Sequence, residues 1–188
     1  MDTRIAKVSA LLLLVAAGCD RQASRMANEQ GMRLRYFNRT PQAREHFDVA
    51  IELDSGNAHA YANRGSLSLE MGQFQEALDD LNEAIRLDPD GALPFDTLNA
   101  KAWLRATCRD ERFRDGAEAV ELATRACECS GWENAMILDT LAAAYAELGD
   151  FYQAVEWQTK AVQMADPFSL PGMQERLELF RAKKPYRE

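Results

Sequence analysis

The sequence is poor in the residues that usually carry catalysis and metal binding. Its 188 residues include two histidines and four cysteines, and it contains no glycine-rich phosphate loop, no His-Glu-x-x-His motif and no paired Cys-x-x-Cys motif. These gaps argue against a nucleotide site, a structural zinc site and a hydrolase triad. We therefore expect a non-enzymatic protein that uses neither cofactor nor metal.

Glycine and proline are also scarce, with ten and six residues, which excludes collagen-like and low-complexity chains. The hydrophobic fraction of 47% is too high for an intrinsically disordered chain, and the length suits one packed domain. The formal net charge is −8. This acidic balance argues against nucleic acid as the main partner, because phosphate binding needs clustered Lys and Arg.

Long apolar runs are missing except for one of eleven residues, at 8–18. It follows Arg4 and Lys7, which is the layout of a secretory signal peptide. Eleven residues cover about half of a ~30 Å hydrocarbon core, so the run is too short for an ordinary transmembrane helix. The sequence Ala16-Ala17-Gly18-Cys19 resembles the lipobox of bacterial lipoproteins. A plain secreted protein and an uncleaved anchor remain alternatives.

The lipobox resemblance implies that residues 1–18 are removed, that Cys19 is lipidated and that 19–23 form a short tether. It implies a lipid-anchored protein of the bacterial cell envelope that faces the periplasm. The resemblance leaves the choice between the inner and the outer membrane undecided. Segment 20–48 holds six arginines against four acidic residues, whereas 49–188 holds 14 basic and 25 acidic residues. We expect the basic segment to lie nearest the anionic headgroups.

The sequence repeats itself at an offset of 34 residues. At this offset Gly31 aligns with Gly65, and Ala43 aligns with Ala77. In the second copy, apolar residues at helical spacing stop at Gly72 and resume after it, so each copy predicts two short helices. Small residues at these positions let two antiparallel helices approach closely. The predicted fold class is therefore all-α, built from antiparallel helix pairs.

A second self-match aligns 70–77 with 147–154. The two segments are 77 residues apart, which is two periods of 34 plus nine residues. We assign eight of these nine to the loop at 90–99, where Gly91 and Pro94 stop a helix, and one to the neighbourhood of Gly131. The predicted units are about 24–57, 58–91, 100–134 and 135–168.

The 34-residue period and the residues at its turns resemble those of the tetratricopeptide repeat (TPR) family. The residues that carry the resemblance are the aligned Gly and Ala pairs, the Gly-x-Phe turns at 72–74 and 149–151, and Asp88-Pro89. The resemblance implies an α-solenoid of about four units over 24–168.

Residues 169–188 follow the last unit. Met173, Leu177 and Phe180 share one helical face there, which predicts an amphipathic capping helix that closes the stack. We expect the tail at 183–188 to be frayed.

In the TPR family, the first helix of each unit lines a concave surface that takes extended peptides or partner helices. Carried over by position, the resemblance implies ten partner-binding residues: Arg25, Asn28, Met32, His59, Asn63, Ser66, Lys101, Arg105, Asp139 and Thr140. Asn63, Lys101 and Arg105 match three positions of the clamp with which some members hold a C-terminal carboxylate. Asn28 and Met32 stand where the clamp has its first Lys and Asn.

Three cysteines and one tryptophan leave questions open. Cys108, Cys127 and Cys129 are interpreted as buried or half-buried thiols, with a disulfide in an oxidising compartment as the alternative. Cys127 and Cys129 would point about 200° apart on one helix, so they do not easily share a metal. Trp132 follows Gly131 between two units and is the one tryptophan that we expect at the surface.

The predicted function is a non-enzymatic, membrane-anchored TPR scaffold that mediates protein–protein interaction in a bacterial envelope complex. The alternative is a soluble or anchored periplasmic module that binds a peptide or a small ligand, or that regulates a partner. A long open groove favours the scaffold, whereas a pocket with convergent polar groups favours the binding module.

Overall fold

The structure is a computed structural model that describes residues 3–88 and 95–188, with side chains from Cys19 onward. Across these ranges it contains nine α-helices, one 3-10 turn at Glu111–Phe113 and no β-strand. The chain divides into two compact units, Met1–Asp90 and Gly91–Glu188. The helices of the first unit are α1 (Thr3–Tyr36), α2 (Thr40–Leu53), α3 (Ala58–Glu70) and α4 (Phe74–Leu87). Those of the second are α5 (Phe95–Thr107), α6 (Gly116–Cys129), α7 (Ala135–Leu148), α8 (Phe151–Met164) and α9 (Leu170–Arg181).

The first unit consists of two antiparallel helix pairs, α1 with α2 and α3 with α4. In the first pair, a Cβ on Gly31 would lie 2.5 Å from a ring carbon of the buried Phe47. In the second pair, a Cβ on Gly65 would lie 3.0 Å from Cγ of Leu81. The aligned glycines thus make the same close helix crossing in both copies, and the all-α class of antiparallel pairs is confirmed.

The second unit contains the pairs α5 with α6 and α7 with α8, and α9 packs on α8. Its core is rich in alanine, which allows the helices to approach closely: Ala106, Ala119, Ala142, Ala143, Ala144, Ala146 and Ala154 are buried around Phe180. Met173, Leu177 and Phe180 bury the inner face of α9, so the predicted capping helix is confirmed. The fully buried Gln158 ties α8 to α9, because its Nε2 donates to the backbone oxygen of Met173 over 3.0 Å.

Five of the nine inserted residues lie elsewhere than predicted, whereas one lies near Gly131 as expected, since the α6–α7 connection spans five residues (130–134) and the α2–α3 connection four (54–57). The α5–α6 turn spans eight residues (108–115), whereas the α3–α4 turn spans three (71–73). Five of the nine therefore belong to that turn, and α5 begins at Phe95 instead of residue 100. Gly91 and Pro94, which suggested the other placement, fall in 89–94, outside the described residues. The turn needs no glycine, because Asp110 caps it by accepting the N–H of Arg112 over 3.1 Å.

Helix α1 runs from Thr3 to Tyr36 without interruption. Residues 19–23, expected to form an extended tether, are helical, so about 1.5 Å per residue separates Cys19 from the first repeat instead of about 3.5 Å. Cys19 itself is exposed. The side chains of the predicted signal peptide at 1–18 lie outside the described residues. Within the described part of the chain, no helix is long and apolar enough to cross a membrane.

The tail after α9 differs from its expectation. Residues 184–188 are not frayed but lie against α5 and α7, and the backbone N–H of Glu188 donates to the carbonyl of Thr107 over 3.0 Å. The sequence carries no local signal for this contact, because the two residues are far apart along the chain.

Candidate partner-binding site

A concavity of about 510 Å³ lies in the first unit between α1 and the start of α3. Four of the predicted partner-binding residues line it: Arg25, Asn28 and Met32 from α1, and His59 from α3. The loop between α2 and α3 forms the remaining wall. The helical register read from the sequence thus places these four side chains around one depression, in the size range of ligand and peptide pockets.

Asn28 lines this concavity, and its amide is paired with that of Asn63. Nδ2 of Asn63 donates to Oδ1 of Asn28 over 2.9 Å, and Asn28 is only 7% exposed. Among the described residues, no group bonds to the remaining Nδ2 of Asn28 or Oδ1 of Asn63. The second N–H of the Asn28 amide is therefore left for a ligand in the concavity, and a peptide carbonyl is a suitable acceptor for it.

Two residues that sequence reasoning missed hold this wall in place. The buried Ser24 donates from its hydroxyl to the carbonyl of Ala50 over 2.6 Å and accepts from Nδ2 of Asn57 over 2.8 Å. Asn57 also caps α3, since its side-chain oxygen accepts the N–H of Ala60 over 3.1 Å. The N-cap residue type of Asn57 was a readable signal. A buried serine five residues after Cys19 had no such signal.

The polar rim of the concavity has both signs of charge. Arg25 and His59 are exposed, and Glu29 and Asp54 line the same depression. Ser66 does not reach it, because its hydroxyl donates to the carbonyl of Ala62 on its own helix over 2.9 Å.

The predicted residues of α5 point toward α6 instead of a groove. Nζ of Lys101 and Nε of Arg105 each lie 2.6 Å from one carboxylate oxygen of Glu118, and Lys101 is only 7% exposed. The physical reason is that five inserted residues lie in the α5–α6 turn, so α5 begins five residues earlier than predicted and these two positions fall on its side toward α6. Both cations are engaged by Glu118, so their assignment to a carboxylate clamp beside Asn63 is replaced by an internal ion pair.

The predicted residues of α7 are also internal. Asp139 is 5% exposed and accepts from Gln158 over 2.6 Å and from Arg176 of α9 over 2.8 and 2.7 Å. Thr140 is buried and donates to the carbonyl of Met136 over 3.1 Å. The capping helix therefore covers Asp139, and neither side chain is presented to a partner.

Two segments of the chain, 58–90 and 137–167, match the tetratricopeptide repeat family. This chain contains tetratricopeptide repeats. Among solved structures, YrrB, described as a TPR protein with an unusual peptide-binding site, superposes with a TM-score of 0.66. It is 18% identical, and the match covers 83% of this chain and 75% of that one. PilW, described as a type IV pilus biogenesis factor, superposes with a TM-score of 0.65 at 16% identity, covering 86% and 76%. At these identities the likeness shows the fold alone.

A curated relative is the human mitochondrial import receptor subunit TOM70. It is 43% identical over 47 residues, which are 25% of this chain and 8% of that protein. This chain spans a fifth or less of the length of the curated relatives it matches. The likeness therefore concerns the repeats and not the whole of those proteins.

An aromatic pair, formed by the α6–α7 loop and α8, lies next to a second, smaller concavity of about 310 Å³. Trp132 stacks on Trp157 with ring centroids 5.1 Å apart, and Nζ of Lys160 lies 4.0 Å from the Trp157 ring centroid. Trp132 is 38% exposed, so it lies at the surface as expected, supported by its neighbour. Leu138 and Met164 add apolar lining.

The four cysteines are free thiols. Cys108 and Cys127 are buried, whereas Cys19 and Cys129 are exposed. Burial raises the pKa of the Cys127 thiol to about 12. Among the described residues, no three His, Cys, Asp or Glu side chains come together as a metal site would require.

Proposed function

We propose that this chain is a non-enzymatic TPR scaffold that binds an extended segment of a partner protein in the concavity of its first unit. The observation that carries the proposal is Asn28, which lines the concavity, is oriented by the amide of Asn63 and keeps one amide donor unpaired. The human relative supports only the general idea of protein binding, since its name describes it as a mitochondrial import receptor subunit.

The chemistry of the concavity defines the partner. Nδ2 of Asn28 donates to a backbone carbonyl of the bound segment, and the bond from Asn63 holds the Asn28 amide in place. Met32, which is 51% exposed, offers an apolar contact to one side chain. Arg25 and His59 stand beside Glu29 and Asp54, so the rim suits a segment with charges of both signs.

We propose further that Cys19 is lipidated and holds this scaffold on a membrane of the bacterial envelope, facing the periplasm. The support is the sequence: Arg4 and Lys7, the apolar run and the lipobox-like residues before Cys19. Two acyl chains suffice for stable attachment, at about 0.8 kcal/mol per buried CH₂. Envelope TPR scaffolds of this kind hold a protein complex together without a reaction of their own.

Site-specific photo-crosslinking in cells tests the binding proposal. A benzophenone amino acid replaces Met32 in one variant and Glu45, exposed on α2, in a matched control. We expect a discrete protein adduct at position 32 and none at position 45. The adduct should weaken in an Asn63→Ala background and persist in a Ser66→Ala background. Equal adducts at both positions, or an adduct insensitive to Asn63→Ala, would contradict the proposal.

Intact mass and membrane fractionation of the native protein beside a Cys19→Ser variant test the anchor. A diacyl or triacyl mass increment that is lost in the variant is the expected result. An unmodified mature chain in the soluble extracytoplasmic fraction would favour a secreted binding module, and a full-length chain in the cytosol would overturn the location.

A further inference from the structure

The five residues after the α9 turn fold back onto the second unit. The backbone reverses at Lys183, which has a φ of +54°, and the N–H of Lys184 donates to the carbonyl of Leu179 over 2.9 Å. From Lys184 to Glu188 the chain forms neither helix nor strand. We call residues 184–188 the return segment.

Each of the last three residues of the return segment has its own subsite. The Tyr186 ring lies 5.9 Å from that of Trp103 on α5 and 5.3 Å from the guanidinium carbon of Arg176 on α9. Nη2 of Arg187 lies 2.5 Å from a carboxylate oxygen of Glu147 on α7.

Glu188 completes the contact. Its backbone N–H donates to the carbonyl of Thr107 over 3.0 Å, and its carboxylate accepts the indole N–H of Trp103. The carbonyl of Thr107 belongs to the last turn of α5, where helix carbonyls lack an intrahelical donor. The return segment thus satisfies a group that another extended chain could satisfy equally well.

The subsites are held by residues outside the return segment. Glu147 is fixed by Nε of Arg114 at 2.9 Å, and Arg176 is fixed by Asp139. Arg176 also lies over the Trp103 ring at 5.5 Å. A surface whose side chains are already oriented loses little entropy when a ligand binds, which favours recognition.

The face that receives the return segment consists of α5, α7 and α9. In the first unit, the corresponding first helices α1 and α3 line the concavity described above. We propose that this face is a second peptide-docking surface, occupied in cis by the return segment, and that it accepts in trans an extended protein segment with an aromatic, then a basic, then an acidic residue. This inference concerns the second unit and stands apart from the proposed function of the first.

Release of the return segment requires no helix to unfold. Release of 185–188 breaks the Glu188–Thr107 backbone hydrogen bond and the contacts of Tyr186. It also breaks the Arg187–Glu147 ion pair, in which Arg187 is 31% exposed, the bond from Arg187 to the carbonyl of Ala106, and the bond from Trp103 to the Glu188 carboxylate. A segment tethered this closely competes at an effective concentration of about 1 mM. If the return segment itself binds with an intrinsic Kd of about 0.1 mM, occupation in cis weakens the apparent affinity for any trans segment about tenfold.

A titration with the return segment as a free peptide tests the proposal. The probe is a labelled peptide with the sequence of residues 183–188 and blocked ends, and the proteins are the full chain and a chain ending at Lys183. We expect the peptide to bind the shortened chain and to bind the full chain about tenfold more weakly. The double variant Tyr186→Ala, Arg187→Ala should bind like the shortened chain, and Lys184→Ala should bind like the full chain.

Fluorine NMR of 5-fluorotryptophan protein locates the binding. The Trp103 resonance should shift on shortening and return on addition of the peptide, while the Trp132 and Trp157 resonances stay in place. Equal binding to the full and shortened chains, binding to neither, or binding that leaves Trp103 unaffected would overturn the proposal. Loss of folding in both the shortened chain and the double variant, measured by circular dichroism, would also overturn the proposal. It would show that the second unit needs the return segment in order to fold. The crosslinking at position 32 tests binding to the first unit only. The proposed function and the docking surface of the second unit can therefore be disproved separately.

Discussion

Arg64 on α3 binds Asp80 on α4 through two hydrogen bonds of 2.8 Å. Its third contact is Asp48 on α2, at 2.7 Å. The hydrogen bond to Asp80, opposed in part by burial, raises the pKa of Arg64 above its usual value, so the cation persists at every accessible pH. One guanidinium therefore links three of the four helices of the first unit.

Replacing Asp80 with Ala should lower the free energy of unfolding by about 3 kcal/mol, because it leaves the Arg64 charge with a single, more exposed partner. Urea denaturation followed by circular dichroism measures this. Arg86→Ala is the matched control, since Arg86 makes a similar two-bond contact with Glu83 on the exposed face of α4. We expect no measurable change there, and equal effects of the two variants would show that the Asp80 pair is no more than a surface salt bridge.

Glu118 should be essential to the packing of α5 on α6. The change Glu118→Ala leaves the ammonium group of Lys101, which is 7% exposed, without its carboxylate, and should cost about 3 kcal/mol of stability. Glu121→Ala, at an exposed position of the same helix, should stay within about 0.5 kcal/mol of the parent. Similar stability of both variants would mean that Lys101 reaches solvent, as its predicted place in a groove requires.

Gly116 allows α6 to begin directly against the end of α7. A Cβ there would lie 2.7 Å from the backbone nitrogen of Leu148 and 3.0 Å from its Cα, and backbone cannot move aside as a side chain can. Gly116→Ala should therefore lower the free energy of unfolding by about 1–3 kcal/mol. Gly172→Ala is the control: its nearest neighbour is the flexible Arg176 side chain at 3.5 Å, so a better helix former should be neutral or stabilise α9 by up to about 1 kcal/mol. A neutral Gly116→Ala would show that α6 and α7 are less closely packed.

The thiols should differ in reactivity. Alkylation requires the thiolate, and Cys127 is 1% exposed with a pKa raised to about 12 by burial. Iodoacetamide at pH 8 should modify Cys129, and Cys19 where it is unacylated, and should reach Cys127 only after unfolding. Peptide mass spectrometry over time measures this. Equal rates at Cys127 and Cys129 in the native protein would contradict the buried position of Cys127.

Cys127 also predicts a pH dependence. Its pKa in the folded state lies above its ordinary value of 9.0, so ionisation of the thiol favours the unfolded state. Its contribution to stability is complete below about pH 9 and declines as the pH rises toward about 12. The free energy of unfolding of Cys127→Ala should therefore fall less between pH 8 and pH 10.5 than that of the parent. Identical losses would show that the thiol does not titrate with unfolding.

The sequence was most informative where a turn requires a particular backbone conformation. Gly72 and Gly149 have φ values of +72° and +90°, and the next helix begins two residues later in each case, at Phe74 and Phe151. The 34-residue register, read from Gly31 and Gly65, also predicted positions that line one concavity: Arg25, Asn28, Met32 and His59.

The register of α5 could not be read in this way. The turn after it is an Asp110-capped 3-10 turn without glycine, so no residue type marked the end of the helix. Lys101 and Arg105 were consequently placed in a groove, whereas both pair with Glu118. The return segment was missed for another reason: its contacts with Trp103 and Thr107 join residues about eighty positions apart, and Pro185-Tyr186 carries no pattern that predicts them.

The unbroken course of α1 has a consequence for the proposed processing of the chain. Peptidases bind their substrates in an extended conformation, but residues 18 and 19 lie in the middle of a helix. Five residues later, Ser24 is buried and bonded to Ala50 and Asn57. If residues 1–18 are removed, as the lipobox-like sequence predicts, α1 has to unwind around residue 18 for cleavage. The exposed Cys19 and the buried Ser24 then mark the limits within which α1 can open without losing its packing on α2.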